Sequence, residues 1–146
     1  MLELETVILL VDDEPAFVET FSKRLKKRKF TVFTACSGKE ALEVLKENSH
    51  IDVVILDVLM PVMDGIETLK EIKKNYPLVE VIMLSGHATI ESAIEGIKLG
   101  AFDYLMKPCD LEELTLKVKQ VKNKKAEHQQ KMLEAQLQEI TLRRGA

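Results

Sequence analysis

Five short stretches dominated by Val, Ile, Leu and Phe recur along the chain, at Val7 to Val11, Thr31 to Ala35, Val53 to Leu56, Glu80 to Leu84 and Phe102 to Leu105. Their starts lie 24, 22, 27 and 22 residues apart, room for a strand, a crossover helix and two loops. The runs are mostly unbroken rather than alternating, which is expected of strands covered on both faces, so they predict a parallel sheet. Between them lie apolar positions at helical spacing: Phe17, Phe21 and Leu25; Ala41, Leu42 and Leu45; Ile66, Leu69 and Ile72; Ile90, Ala93, Ile94 and Ile97. A fifth stripe opens with Leu111, Leu114, Val118 and Val121. Each is an apolar face at three- and four-residue spacing, and the whole predicts an α/β protein, a doubly wound (βα)5 sheet with helices on both faces. Gly38, Gly65, Gly86 and Gly100 fall near the joints, where turns and caps belong.

With 146 residues, 46% hydrophobic and 31% charged, the chain is long enough for one core and too apolar for wholesale disorder. No apolar run approaches the roughly 20 residues of a membrane span. The opening Met-Leu-Glu-Leu-Glu carries acid where a secretory leader carries base, so a cytoplasmic protein without membrane contact is expected. Cys36 and Cys109 show no metal spacing with His50, His87 or His128 and read as reduced thiols. The net charge of -3 conceals an asymmetry, because positions after 110 hold eight Lys or Arg against five Glu while the body before them is acidic. All seven aromatic residues lie in that body. The tail's lysines alternate with Glu and Gln and have no aromatic beside them to stack on a base, which argues for a solvated helix face and against nucleic acid.

In open α/β sheets ligands bind beyond the carboxyl ends of the strands, where strand order reverses. At those ends stand Asp12, Asp13 and Glu14 after the first strand, Asp57 after the third, Ser85 at the fourth and Lys107 after the fifth. In the order 2-1-3-4-5 the first and third strands are neighbours and Asp12, Asp13 and Asp57 converge. Three adjacent carboxylates repel one another, and a hard divalent cation relieves this. Magnesium suits the set, since it accepts a few carboxylate oxygens while keeping waters and phosphate oxygens. Lys107 adds a positive charge and Ser85 a hydroxyl, an arrangement fit for a phosphoryl group with Asp57 as candidate nucleophile. Singly, each residue has an ordinary structural role: strand-end aspartates turn or cap, Ser85 before Gly86 caps a helix, and Lys107 before Pro108 is a loop lysine. Their gathering at one rim separates the two readings.

The motifs Val-Asp-Asp-Glu-Pro at 11–15, Leu-Asp-Val-Leu-Met-Pro-Val-Met-Asp-Gly at 56–65, Leu-Ser-Gly-His-Ala at 84–88 and Gly-Ala-Phe-Asp-Tyr-Leu-Met-Lys-Pro at 100–108 resemble the receiver domain of two-component response regulators. The resemblance implies a flavodoxin-like fold and a phosphoryl group accepted by Asp57 from a phosphohistidine on a sensor histidine kinase. It implies magnesium held by Asp13, Asp57 and the backbone carbonyl of Leu59, with Asp12 acting through a metal-bound water. Lys107 would pair with the phosphoryl oxygens, and its bond to Pro108 would be cis. Ser85 would be the switch hydroxyl, and Tyr104 would turn inward, altering the surface of helix four, strand five and helix five. Pro61 and Gly65 would set a turn and Asp64 would cap helix three. The Ser-Gly-His-Ala-Thr segment is similar to receivers attached to sigma-54-dependent activators or hybrid kinases. Cys109 departs from the family's frequent Phe. Leu59 and His87 occupy positions that tune dephosphorylation, where Leu59 lacks a hydrogen bond to offer an attacking water.

The organisation expected is a receiver over 1–122 and a helical extension over 123–146. The helical pattern runs on to about Arg143, and Leu133, Leu137 and Ile140 with Ala126 and Met132 form about two heptads of a seam. A dimerising helix, a linker to a missing output domain and a frayed tail are the three readings, the first favoured. The function expected is a phospho-accepting switch controlling a downstream partner or homodimer, with self-catalysed phosphotransfer and autodephosphorylation only. A degenerate scaffold would lack an acid or Lys107. A small magnesium-dependent aspartyl-phosphate phosphatase would need a second acid for the leaving group. A nucleotide-binding protein of similar fold would need glycines where Asp-Asp-Glu-Pro stands.

Overall fold

The computed structural model describes residues 5–58, 60, 64–86 and 89–144. Strands and helices alternate through them: β1 (Val7–Val11), α1 (Pro15–Lys27), β2 (Thr31–Ala35), α2 (Gly38–Glu47), β3 (Val53–Leu56), α3 (Gly65–Asn75), β4 (Glu80–Ser85), α4 (Ile90–Lys98), β5 (Asp103–Met106) and α5 (Leu111–Arg144). All four strand pairings are parallel and the order is β2-β1-β3-β4-β5, so the chain has the flavodoxin-like doubly wound sheet with a long C-terminal helix.

The unbroken apolar runs have a direct physical cause. Successive residues of β1, β3 and β4 point to opposite faces, and each face is covered. Leu9, Val11, Val54, Leu56, Val81 and Met83 pack with Ala41 and Leu45 of α2 and Leu69 and Ile72 of α3. Ile8, Leu10, Val53, Ile55, Ile82 and Leu84 pack with Val18, Phe21 and Leu25 of α1 and Leu114, Val118 and Val121 of α5. Two cores, one per face, therefore share the sheet.

Helix starts are set by local chemistry. Pro15 opens α1, where its missing N–H is no loss. Ser37 accepts from the Glu40 N–H at 3.1 Å, and Asp64 from the Glu67 N–H at 2.7 Å, as expected of a cap on α3. Thr89 and Ser92 form a reciprocal capping box on α4.

Helix α4 corrects one expectation. Its stripe of Ile90, Ile94 and Ile97 does not enter the core: these side chains are 81%, 50% and 47% exposed. Gly96 is the buried residue of this helix, and a Cβ there would stand 3.7 Å from the Met83 side chain and 3.9 Å from the Tyr104 ring. The helix thus approaches β4 and β5 through a small residue, leaving the isoleucines at the surface.

Candidate functional site

The register brings the acids together. Val11 is paired with Leu56 across β1 and β3, so the residues that follow, Asp12 and Asp57, leave the sheet side by side. Backbone bonds prolong the ladder one step past the strands: the Asp12 N–H donates to the Ala35 carbonyl at 3.1 Å, and the Asp57 N–H to the Val11 carbonyl at 3.0 Å. The strand ends therefore hold these acids on rigid backbone. Carboxylate oxygens of Asp12, Asp13 and Asp57 all lie within 4.8 Å of one another. Asp12 and Asp57 are buried while Asp13 is exposed, so the cluster opens to water on one side.

Magnesium fits this donor set. Octahedral oxygens at roughly 2.1 Å from an ion stand about 3 to 4 Å apart, so small side-chain movements bring these carboxylates onto one cation. The open side leaves space for the waters that magnesium retains. Leu59, named above as a backbone ligand, and His87 lie outside the described residues.

Lys107 reaches the cluster from the end of β5. Its N–H donates to the Ser85 carbonyl at 3.0 Å, continuing the β4–β5 ladder, and its bond to Pro108 is cis. The ammonium forms an ion pair with Asp12 and stands 3.8 Å from the Glu14 carboxylate. Asp12 also accepts the Glu14 N–H at 3.0 Å, so both of its oxygens are engaged. Lys107 is thus a cation kept at the carboxylates, not a loop lysine in solvent. Ser85 closes β4 and is fully buried. It lies four residues before the Thr89 cap, so it does not cap α4. Tyr104, on β5, is half-buried, and its hydroxyl shares a 3.2 Å hydrogen bond with Ser92 Oγ in the first turn of α4. Asp12, Asp13, Asp57 and Lys107 thus meet directly, with Ser85 and Tyr104 on the strands beside them.

Two residues matter here that the sequence pattern presents as scaffold. Gly65 abuts the backbone of Asp57: a Cβ there would fall 2.3 Å from the Asp57 carbonyl oxygen and 2.5 Å from Val58 Cα. Its N–H donates to the Val58 carbonyl at 2.8 Å. Phe17, read as part of the core stripe of α1, lies with its ring centroid 4.0 Å from the Lys107 ammonium. Glu14, named above beyond the end of β1, brings its carboxylate to 3.8 Å from the same lysine. For Phe17 the available signal is proximity in sequence, since it follows Asp12 and Asp13 in the first turn of α1.

Cys109 packs at the edge of the α1/α5 core, and burial, then the charges of Glu113 and Asp110, pushes its thiol up. It is a neutral packing group near neutral pH, and both cysteines are free. Beyond Val121, α5 leaves the core but keeps hold of the far end of the sheet. Lys125 Nζ donates to the Asp52 carbonyl at 2.7 Å, and Lys124 stands 3.5 Å from Glu80. Burial holds the Lys125 ammonium below the usual lysine range, opposed by the charges of Asp52 and Glu80. After that point the described side chains are exposed, including Met132, Leu133, Leu137 and Ile140. Among the described residues no helix is long and apolar enough to cross a membrane.

Comparison with known proteins agrees with this geometry. The sequence profile of the response regulator receiver domain matches residues 8–119. The chain is 40% identical over 109 residues to the regulatory protein AtoC of Escherichia coli, covering 75% of this chain and 23% of that protein. It is 40% identical over 114 residues to a putative response regulator NtrX-like of Rickettsia felis, covering 77% of this chain and 24% of the relative. It thus spans about a quarter of the length of these relatives. A response regulator receiver domain protein from Clostridium thermocellum superposes with TM-score 0.79 at 38% identity, covering 83% of this chain and 97% of that one.

Proposed function

The chain belongs to the response regulator receiver domain family, and from that premise we propose that it accepts a phosphoryl group on Asp57 from a phosphohistidine of a sensor histidine kinase. The observation that carries this reading is the meeting of three carboxylates and Lys107 at the β1/β3 switch point. In the proposed step an Asp57 carboxylate oxygen forms a bond to phosphorus as the bond from phosphorus to the donor breaks, and the donor leaves with the bonding electron pair. Asp13, Asp57 and the Leu59 carbonyl would hold magnesium, with Asp12 acting through a water. When bound, the ion supplies positive charge against the carboxylates and the phosphoryl oxygens. Lys107 supplies the second positive charge, for which it must exchange Asp12 for a phosphoryl oxygen.

The switch follows from the groups beside the acceptor. Ser85 turns its hydroxyl to the phosphoryl group, and Tyr104 moves into the space released, giving up the bond to Ser92. The first turn of α4 then loses a tether, and the surface of α4, β5 and α5 changes. That surface already exposes Ile90, Ile94, Ile97 and Met106, an apolar patch suited to a partner. The chain is a signalling domain, and its self-catalysis is limited to taking up the phosphoryl group and losing it to water. We take 1–122 as the receiver and 123–146 as an extension, since the buried face of α5 ends at Val121. The exposed Leu133, Leu137 and Ile140 make a seam suited to pairing with a second copy, and a downstream output domain is the other destination of the signal. The cytoplasm is the compartment in which a kinase-fed switch with two unpaired thiols operates.

The test is incubation with acetyl phosphate and magnesium followed by intact-mass analysis. The parent gains one phosphoryl group, acetate being released, while Asp57→Asn and the magnesium-chelated parent do not. No adduct on the parent, where a control receiver is modified, sinks the reading and leaves a scaffold.

A further inference from the structure

Lys107 has a neighbour that carries no charge. Its ammonium lies 4.0 Å from the centroid of the Phe17 ring, close enough for the electron-rich face to attract it. The ring has a partner of its own, stacking on Phe21 with centroids 5.0 Å apart and planes 15° apart. Phe21 is in turn buried in the core under α1. The seat is therefore backed by the packed interior, whereas Glu14, whose carboxylate also stands near the lysine, is exposed.

The chemistry at this rim explains what an aromatic partner offers. A cation waiting for a phosphoryl group needs something to hold it near, yet each carboxylate enlisted for that purpose adds repulsion against the incoming oxygens. An aromatic face attracts a cation through its quadrupole without adding net charge. We propose that Phe17 is a positioning residue for phosphoryl transfer, its ring seating the Lys107 ammonium while the lysine exchanges Asp12 for the phosphoryl group. The inference rests on the receiver reading and adds to it a residue that the core stripe of α1 otherwise accounts for.

The test compares Phe17→Leu and Phe17→Met, which keep apolar bulk, with Phe17→Tyr, which keeps the ring, in the full chain and again in a Lys107→Gln background. Phosphorylation by acetyl phosphate and magnesium is followed by intact mass, and the Lys107 side-chain methylene resonances by NMR. Phe17→Leu and Phe17→Met slow phosphorylation by roughly 2- to 30-fold, the rate equivalent of a cation–π contact. Phe17→Tyr restores the rate to within about twofold, since the cation-binding face is retained. The ring-current shift of the Lys107 methylenes is present in the parent and in Phe17→Tyr and disappears in the other two. In the Lys107→Gln background Phe17→Leu has no further effect. An equal slowing in that background means that Phe17 acts by packing alone and overturns the proposal, as does a parental rate in both aliphatic variants. If the parent takes no phosphoryl group at all, the receiver reading fails by itself. The positioning proposal falls with it, while the methylene shift still reports whether the ring seats the lysine.

Discussion

Replacing Gly65 by alanine adds one carbon at the point where α3 touches the backbone of Asp57. That carbon would stand 2.3 Å from the Asp57 carbonyl oxygen, 2.5 Å from Val58 Cα and 2.9 Å from the Val58 carbonyl oxygen, against at least 3.4 Å for ordinary contact. All three atoms are backbone, so no side chain can swing aside. Either the start of α3 or the Asp57 peptide must move by about 1 Å, a strain comparable to overpacking a core at about 1–3 kcal/mol. The better helix propensity of alanine returns at most about 1 kcal/mol. On the proposed function, moving Asp57 by such a distance is expected to slow phosphorylation by about 10- to 100-fold. Urea unfolding measures the first effect, and intact-mass kinetics with acetyl phosphate the second. Gly96→Ala is the control, since its Cβ would lie at an ordinary 3.7 Å from the Met83 side chain. A Gly65→Ala protein with the parental unfolding midpoint and the parental phosphorylation rate refutes the close-approach argument.

Lys125 and the tail yield two further tests. Because burial holds the Lys125 ammonium below its ordinary value of 10.5, the unfolded chain binds more protons than the folded one in the interval just beneath that value. Stability contributed by this site therefore rises with pH across the interval and is flat below it. Unfolding midpoints of the parent minus those of Lys125→Met, measured against pH, should show that rise, and a falling difference contradicts the assignment. Removing residues 126–146 deletes side chains that are exposed throughout 126–144. The unfolding free energy should then change by no more than about 0.5 kcal/mol, while sedimentation should show any self-association lost. A larger destabilisation, or association that survives truncation, places the contact elsewhere.

The sheet was legible because both of its faces are covered, so β1, β2 and β3 coincide with the apolar runs residue for residue. The acids were legible because they stand one step past those runs. Helix α4 is less legible: three isoleucines at helical spacing look like a core face, and only the packing of Gly96 against Met83 and Tyr104 shows which side is inward. Gly65 looks like a turn glycine in the sequence because a turn and a close approach call for the same residue, and the distance to Asp57 separates them. Phe17 was hidden by its second role, since an aromatic that serves the core also meets a cation only once the chain end of β5 is placed beside α1. Hydrophobic periodicity carries information about faces, and such cross-element contacts depend on tertiary geometry.

The uninterrupted course of α5 has a mechanical consequence. From Val121, where it leaves the core, to Arg144 is about 35 Å at 1.5 Å per residue, with no proline or glycine within that stretch to act as a joint. Lys124 and Lys125 fasten it at Glu80 and Asp52 on the opposite end of the sheet from the acids, which makes that attachment a fulcrum. The arm from that fulcrum to Arg144 is about 29 Å, so a tilt of about 5° carries the tip through about 2.5 Å, nearly half the rise of one helical turn. A displacement too small to notice within the body thus arrives at the far end as a shift on the scale of side-chain packing.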